Sequence, residues 1–181
     1  MMKRKSVKMN AFIAMFMAVT VVLSFFNTFV PSLPQGGSIS FDIIAIMLCA
    51  YLMGGHYAII VGIGVSILQF ILGLAVYYGP WSVLFDYVLP LSVCGVAGFI
   101  PNIKIADYDL YTGVIVSMIL KYLSHFISGA FVFASYAPEG VNPITYSLVY
   151  NFPYNLLTLV LCIIVVPTLH KRLKNTLKLE S

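Results

Sequence analysis

Four side chains stand out because their chemistry is out of place. Asp86, Lys121, His125 and Asn151 each lie inside a long apolar run. Ionisable and amide groups are costly in hydrocarbon, face the interior of a bundle when they occur there, and usually mark a function. Lys121, His125 and Gly129 follow an i, i+4, i+8 spacing, so a helix sets them on one stripe. Gly129 leaves room on that stripe for a ligand or a neighbouring helix. Tyr87, Phe133, Tyr136, Tyr146 and Tyr150 flank the same level. One carboxylate, several rings and a few amide and hydroxyl groups suit a flat organic cation. The carboxylate supplies the counter-charge, and the rings supply stacking and cation–π attraction.

Each of these residues also has a plainer use. Asp86 could be interfacial, or paired only with Lys121. His125 could hydrogen-bond between helices, and Asn151 could join two helices or support a kink at Pro153. Tyr146 and Tyr150 alone fit an aromatic belt at the membrane surface. Two other chemistries use the same pair. Asp86 and His125 could act as acid and base in a small membrane enzyme, or as a proton relay in a carrier. The enzyme would need a nucleophile or a metal, and no H-E-x-x-H or G-x-S-x-G occurs. No G-x-x-x-x-G-K-[ST] occurs either, so the chain has no P-loop for ATP. No catalytic residue, metal-ligand set or cofactor is assigned.

The elements that must position these groups follow from composition. The chain has 181 residues, 61% hydrophobic and only 9% charged. Its mean hydropathy is +0.99. Soluble domains run near 45–50% apolar and about 25% charged. An ordinary soluble enzyme, a disordered chain and a nucleic-acid binder are all excluded by that difference. At roughly 20 residues per crossing, the length allows about six membrane helices. Apolar runs place them at about 8–30, 41–53, 57–76, 81–100, 110–136 and 143–170, in one membrane domain over 1–181. The fifth follows an Asp107/Asp109 start, and Gly54, Gly55 and His56 make a tight turn. The basic N-terminus resembles a signal peptide, but the run after it is long enough to span and is read as the first helix. At 1.5 Å per residue, Asp86, Lys121, His125 and Asn151 all fall in the outer half of the membrane.

Orientation follows from charge. The net charge of +4 comes mainly from the two ends: Lys3, Arg4, Lys5 and Lys8 precede the first helix, and Lys171, Arg172, Lys174 and Lys178 follow the last. Lys104 lies between the fourth and fifth. With six crossings all three clusters fall on one side, and the positive-inside rule makes that side the cytoplasm. Both termini are then cytoplasmic. His56 and His170 fall at this edge and are read as solvated. Cys49, Cys94 and Cys162 sit in apolar runs without a C-x-x-C pair and are read as small packing residues. Ala14-x-x-x-Ala18 on the first helix is a small-x-x-x-small pattern that lets another helix, from this chain or a partner, pack closely.

These residues together spell a family. The chain resembles the thiamine-specific substrate-binding (S) components of energy-coupling factor (ECF) vitamin transporters, the ThiT/YuaJ group. The matching runs are PQGGSIS at 34–40, LFDY at 84–87, HFISGA at 125–130 continuing to SYAPEG at 135–140, and YSLVYN at 146–151. The resemblance implies an all-α integral membrane protein with the ECF S-component fold of six helices, in a bacterial plasma membrane. It implies thiamine bound from outside for ATP-driven uptake. A transmembrane scaffold (T) subunit and two ATPases are the implied partners, with the lipid bilayer and without nucleic acid. Carried over residue by residue, Asp86 matches an acidic residue facing the ligand, and Tyr87 follows it. Lys121, His125 and Gly129 match positions on the fifth helix, with His125 against the thiazolium ring. Tyr146 and Asn151 match ligand hydrogen-bonding positions. Phe133 falls where some members have a stacking tryptophan, and this chain has no tryptophan before Trp81. Ala14 and Ala18 match the scaffold contact. Gly36, Gly37 and Ser38 of the outer loop 31–40 read as a lid, since glycine permits the backbone change. The alternative ligand is a thiamine precursor or another flat vitamin, and the alternative class a proton-coupled carrier.

Overall fold

The computed structural model describes residues 2–33, 37–106 and 108–177. The chain is mostly helical. In order it forms α1 (Met2–Asn27), α2 (Asp42–Met53), α3 (Gly55–Ile71), α4 (Pro80–Phe99), a hairpin of β1 (Ile103–Ile105) and β2 (Tyr108–Leu110), α5 (Thr112–Val132) and α6 (Pro143–Leu177). Four of these, α1, α4, α5 and α6, are long and apolar enough to cross a membrane. With 12 and 17 residues, α2 and α3 are shorter apolar helices. At 1.5 Å per residue the 12 residues of α2 reach about 18 Å, short of a bilayer core of about 30 Å.

Several boundaries depart from the hydropathy reading. The third helix ends at Ile71 rather than near 76, because Gly73 and Gly79 take φ of +70° and +108° and turn the chain. Gly54 alone, at φ +103°, makes the turn before α3, and Gly55 and His56 already belong to that helix. The fifth helix starts at Thr112 rather than 110, since the preceding residues pair as a hairpin. It ends at Val132, ahead of a separate turn at Ala134–Tyr136. The last helix runs on through Pro153 and Pro167 to Leu177. Asp107 lies outside the described residues.

The packing is inside-out by the standard of soluble proteins. Val22, Phe26, Ile67, Phe131, Val149 and Ile164 all point outward. Such an apolar exterior needs a nonaqueous neighbour. The core is centred on α2, which is buried from Asp42 to Ala50 and touches α1, α3, α6 and the last turn of α4. At its C-terminal end the helices meet backbone to backbone. A Cβ on Gly98 would stand 2.5 Å from the Ala50 carbonyl, and one on Gly95 2.7 Å from the Ile59 nitrogen. Close approach of this kind is how membrane helices gain dispersion contacts when burial from water is not available.

The same end is latched. Thr112 Oγ1 donates to the Pro101 carbonyl at 2.5 Å, closing the base of the hairpin. Lys171 on α6 pairs with Asp109 on β2 at 3.5 Å. The Tyr111 hydroxyl lies 2.7 Å from His170 Nδ1, and Tyr51 packs against both rings. Burial, and then the Asp109 carboxylate, push the Tyr111 phenol above its ordinary pKa. His170 is therefore half-buried, packed against two rings rather than fully solvated; a histidine near a helix end gives no sign in sequence of the rings that close on it. His56 is exposed.

Candidate ligand-binding site

The polar side chains converge at the other end of α2. Asp86 lies on α4 where the helix widens to i→i+5 bonding over Val83–Val88, with Leu89 N–H reaching the Leu84 carbonyl. Pro90 offers no N–H, so the turn before it cannot close normally. The loosened Phe85 carbonyl instead accepts from Ser124 Oγ of α5 at 2.7 Å. A second wide turn spans Ser128–Val132 on α5, where Phe133 N–H reaches the Ser128 carbonyl at 3.0 Å. Single wide turns of this type recur at functional sites because they re-aim side chains. Here they face one another. Ser128 Oγ donates to Asp86 Oδ2 at 2.8 Å, and His125 Nδ1 lies 3.5 Å from Asp86 Oδ1.

On α5, Lys121 is 2% exposed. Its ammonium donates to Asn155 Oδ1 at 3.2 Å and stands 6.0 Å from the Tyr154 ring centre. The plain alternative of an Asp86–Lys121 ion pair is not what is formed; His125 takes that place. Asn151 is 4% exposed. Its amide donates to the Ser147 carbonyl at 2.8 Å and to the His125 carbonyl at 3.4 Å, and its oxygen accepts from the Tyr154 hydroxyl. It thus joins α5 to α6. Gly129 serves the same approach, since a Cβ there would collide with Ser147 Oγ.

These groups line a cavity of about 400 Å³, a size that holds a small organic ligand. Asp86, Tyr87, Lys121, His125, Gly129, Phe133, Tyr146 and Asn151 all contribute to its wall, with Gly37 and Ser38 from the first loop. Gly36 lies outside the described residues. Gly37 N–H donates to the Tyr150 hydroxyl at 3.3 Å, and a side chain at 37 would collide with the Tyr154 ring. Glycine is what lets this loop lie flat on α6. Phe133 stands edge-on to Tyr78 with ring centres 5.2 Å apart, and Tyr136 follows at 5.7 Å. Across the cavity, Tyr146, Tyr150 and Tyr154 form a row at helical spacing on α6. Tyr87 turns its hydroxyl to Val76 N–H at 2.9 Å, tying the 72–79 loop to the residue next to Asp86.

A second lobe of about 300 Å³ shares Asp86, Lys121 and His125 and extends toward α1 and α3. Its end is formed by Asp42, 4% exposed, whose carboxylate accepts from Ser24 Oγ at 3.1 Å and Gln69 Nε2 at 3.3 Å. Asp42, Ser24 and Gln69 escaped the sequence reading. An acid at the first position of a helix is favourable against the helix dipole and looks ordinary. Gln69 inside the apolar third run was the legible signal. The two lobes together hold two carboxyl groups, Asp86 and Asp42, and the amino group of Lys121. Ala14 and Ala18 sit elsewhere, on the exposed face of α1.

A profile described as thiamine transporter protein matches residues 11–178. The chain belongs to that family. It is 30% identical over 179 residues to the thiamine transporter ThiT of Bacillus subtilis, covering 93% of each protein. It is 30% identical over 101 residues to ThiT of Lacticaseibacillus paracasei, covering half of each. The solved structure of ThiT from Listeria monocytogenes superposes with a TM-score of 0.78 at 22% identity, over 97% of this chain and 98% of that one. That likeness concerns the fold. Membership of a transporter family accords with a site built to hold a ligand rather than to transform one.

Proposed function

We propose that this chain is the thiamine-binding S component of an ECF transporter, taking thiamine from outside the cell. The observation that carries the reading is the Asp86–His125–Ser128 cluster set in an aromatic-walled cavity, with a second carboxyl group, Asp42, in the adjoining lobe. Thiamine is a monocation of two flat rings joined by a methylene. Asp86 and Asp42 supply its counter-charge, His125 and Phe133 its ring contacts, and Tyr146 and Asn151 its hydrogen bonds. Asn151 must exchange part of its present bonding to do so. Gly36, Gly37 and Ser38 belong to the lid, which rests on Tyr150 and Tyr154 through Gly37 and moves off them to admit ligand.

All six helices cross the bacterial plasma membrane in this reading, with both termini cytoplasmic. Ala14 and Ala18 receive the scaffold subunit, and two ATPases on that scaffold supply the energy. The deciding experiment is calorimetric titration of the detergent-purified chain with thiamine, beside hydroxymethylpyrimidine, riboflavin and folate. Trp81 stacks on Phe85 and is largely exposed, so heat is a better signal than its fluorescence. Tight binding of thiamine alone is expected, and no heat at micromolar thiamine overturns the reading. In cells carrying the whole transporter, Ala14→Trp should abolish uptake while the purified variant binds as before. Lost binding would instead put Ala14 in the fold or the site.

A further inference from the structure

The hairpin between α4 and α5 is amphipathic in a way that neither the core nor the cavity uses. Its register pairs Ile103 with Leu110, Lys104 with Asp109 and Ile105 with Tyr108. Directly opposed residues share a face, and alternate residues along a strand return to it. One face is therefore Ile103, Ile105, Tyr108 and Leu110, and the other is Lys104 and Asp109. The polar face turns toward α6, where Lys171 holds Asp109. The apolar face looks outward: Ile103 is 53% exposed, Ile105 58% and Tyr108 79%. Phe99, 48% exposed at the end of α4, stands close by in the chain.

The hairpin has no freedom to tuck this face away. Pro101 and Thr112 are bonded across its base, and Tyr111 is bonded to His170. It is thus fixed where two long apolar helices end. Lys104 lies on it, Lys171 of α6 is paired to it through Asp109, and Arg172 and Lys174 follow Lys171 in the chain. This excess of cations complements an anionic leaflet, and tyrosine with aliphatic neighbours is the composition that settles at the boundary of headgroups and acyl chains. A two-stranded ribbon cannot go deeper, because its outer backbone N–H and C=O groups need water or headgroups as partners.

We propose that β1–β2 is an interfacial anchor, with Ile103, Ile105 and Tyr108 seated in the headgroup–acyl boundary of the cytoplasmic leaflet and the basic residues around it on lipid phosphates. The proposal rests on the membrane placement and orientation given above. Its role is to fix the height of the α4–α5 connection while the outer ends of those helices hold ligand.

The test uses the full chain in vesicles of phosphatidylcholine and phosphatidylglycerol. Tyr108→Trp and, separately, Ile119→Trp on the outward face of α5 are made in a Trp81→Phe background. Lipids brominated near the headgroup or near the chain end serve as quenchers. For Tyr108→Trp the anchor requires blue-shifted emission, quenched more by the shallow bromine than by the deep one. Water-like, unquenched emission from Tyr108→Trp beside quenched Ile119→Trp overturns it. If both are unquenched, the membrane reading fails first. If the Tyr108→Trp emission turns blue only when the scaffold subunit is added, the face belongs to a protein partner and the anchor is wrong. Ile105→Trp gives the same readout should Tyr108→Trp not fold.

Discussion

The two ends of α2 face opposite problems. At Asp42 the helix opens onto a cavity where a carboxylate is held by a serine and a glutamine, with no cation within ion-pairing distance among the described residues. At Ala50 it meets Gly98 and Gly55 so closely that no side chain fits between. The first end keeps polar groups short of ideal partners and so retains something to offer a ligand. The second is closed by backbone packing. Affinity and stability should therefore be separable by substitution, because they are stored at different ends of the same helix.

The largest separation should come from Asp86→Asn. A hydrogen bond to a charged group is worth about 1.5–3 kcal/mol, which is roughly a 10- to 100-fold change in affinity. Thiamine titration should show that loss with a nearly unchanged melting midpoint. A large fall in melting temperature with binding intact would move Asp86 from the ligand to the fold. Gly98→Val should do the reverse. Its new side chain meets the Ala50 carbonyl and the Gly55 nitrogen, and overpacking costs about 1–3 kcal/mol. Thermal unfolding in detergent should shift down while the folded fraction binds thiamine normally.

A smaller effect is expected from Asp42→Asn. The amide oxygen keeps the bonds from Ser24 and Gln69 while its NH2 replaces the oxygen that accepts from Ile43 N–H, so a carboxyl group and one acceptor are removed, at a cost of about 1 kcal/mol or some fivefold in affinity. Equal affinity before and after would show that the second lobe plays no part in holding the cation, and would confine the site to the Asp86 lobe.

The same contrast explains what the sequence could disclose. Asp86, Lys121 and His125 were legible because charge in an apolar run is conspicuous, and the helical stripe from Lys121 to Gly129 follows from spacing alone. The partner choices were not legible. Asp86 itself sits in one of two wide turns, at which only Pro90 hints, and the bond from Lys121 to Asn155 depends on how α5 packs on α6. The hairpin hid because two three-residue strands with a single charge each look like the frayed start of a helix. The glycine seam hid for another reason. Gly55, Gly95 and Gly98 are individually common in membrane helices, and only the fold shows that they meet one another.

The smallest effect to seek is at the cavity rim. Tyr78 sits on the 72–79 loop, 56% exposed, with its ring edge-on to Phe133. Tyr87, beside Asp86, ties the same loop through Val76. If the rim behaves like the open end of α2, Tyr78 contributes to a ligand and little to the fold. An aromatic pair is worth about 0.5–1.5 kcal/mol, so Tyr78→Ala should weaken thiamine by roughly two- to tenfold. Tyr78→Phe should match the wild type, since ring stacking and not the hydroxyl is at stake. Stopped-flow release should quicken in the alanine variant more than association slows, because the ring closes behind the ligand. If association and release are both unchanged, Tyr78 is merely an exposed ring, and the loop is held by Tyr87 for the sake of the fold.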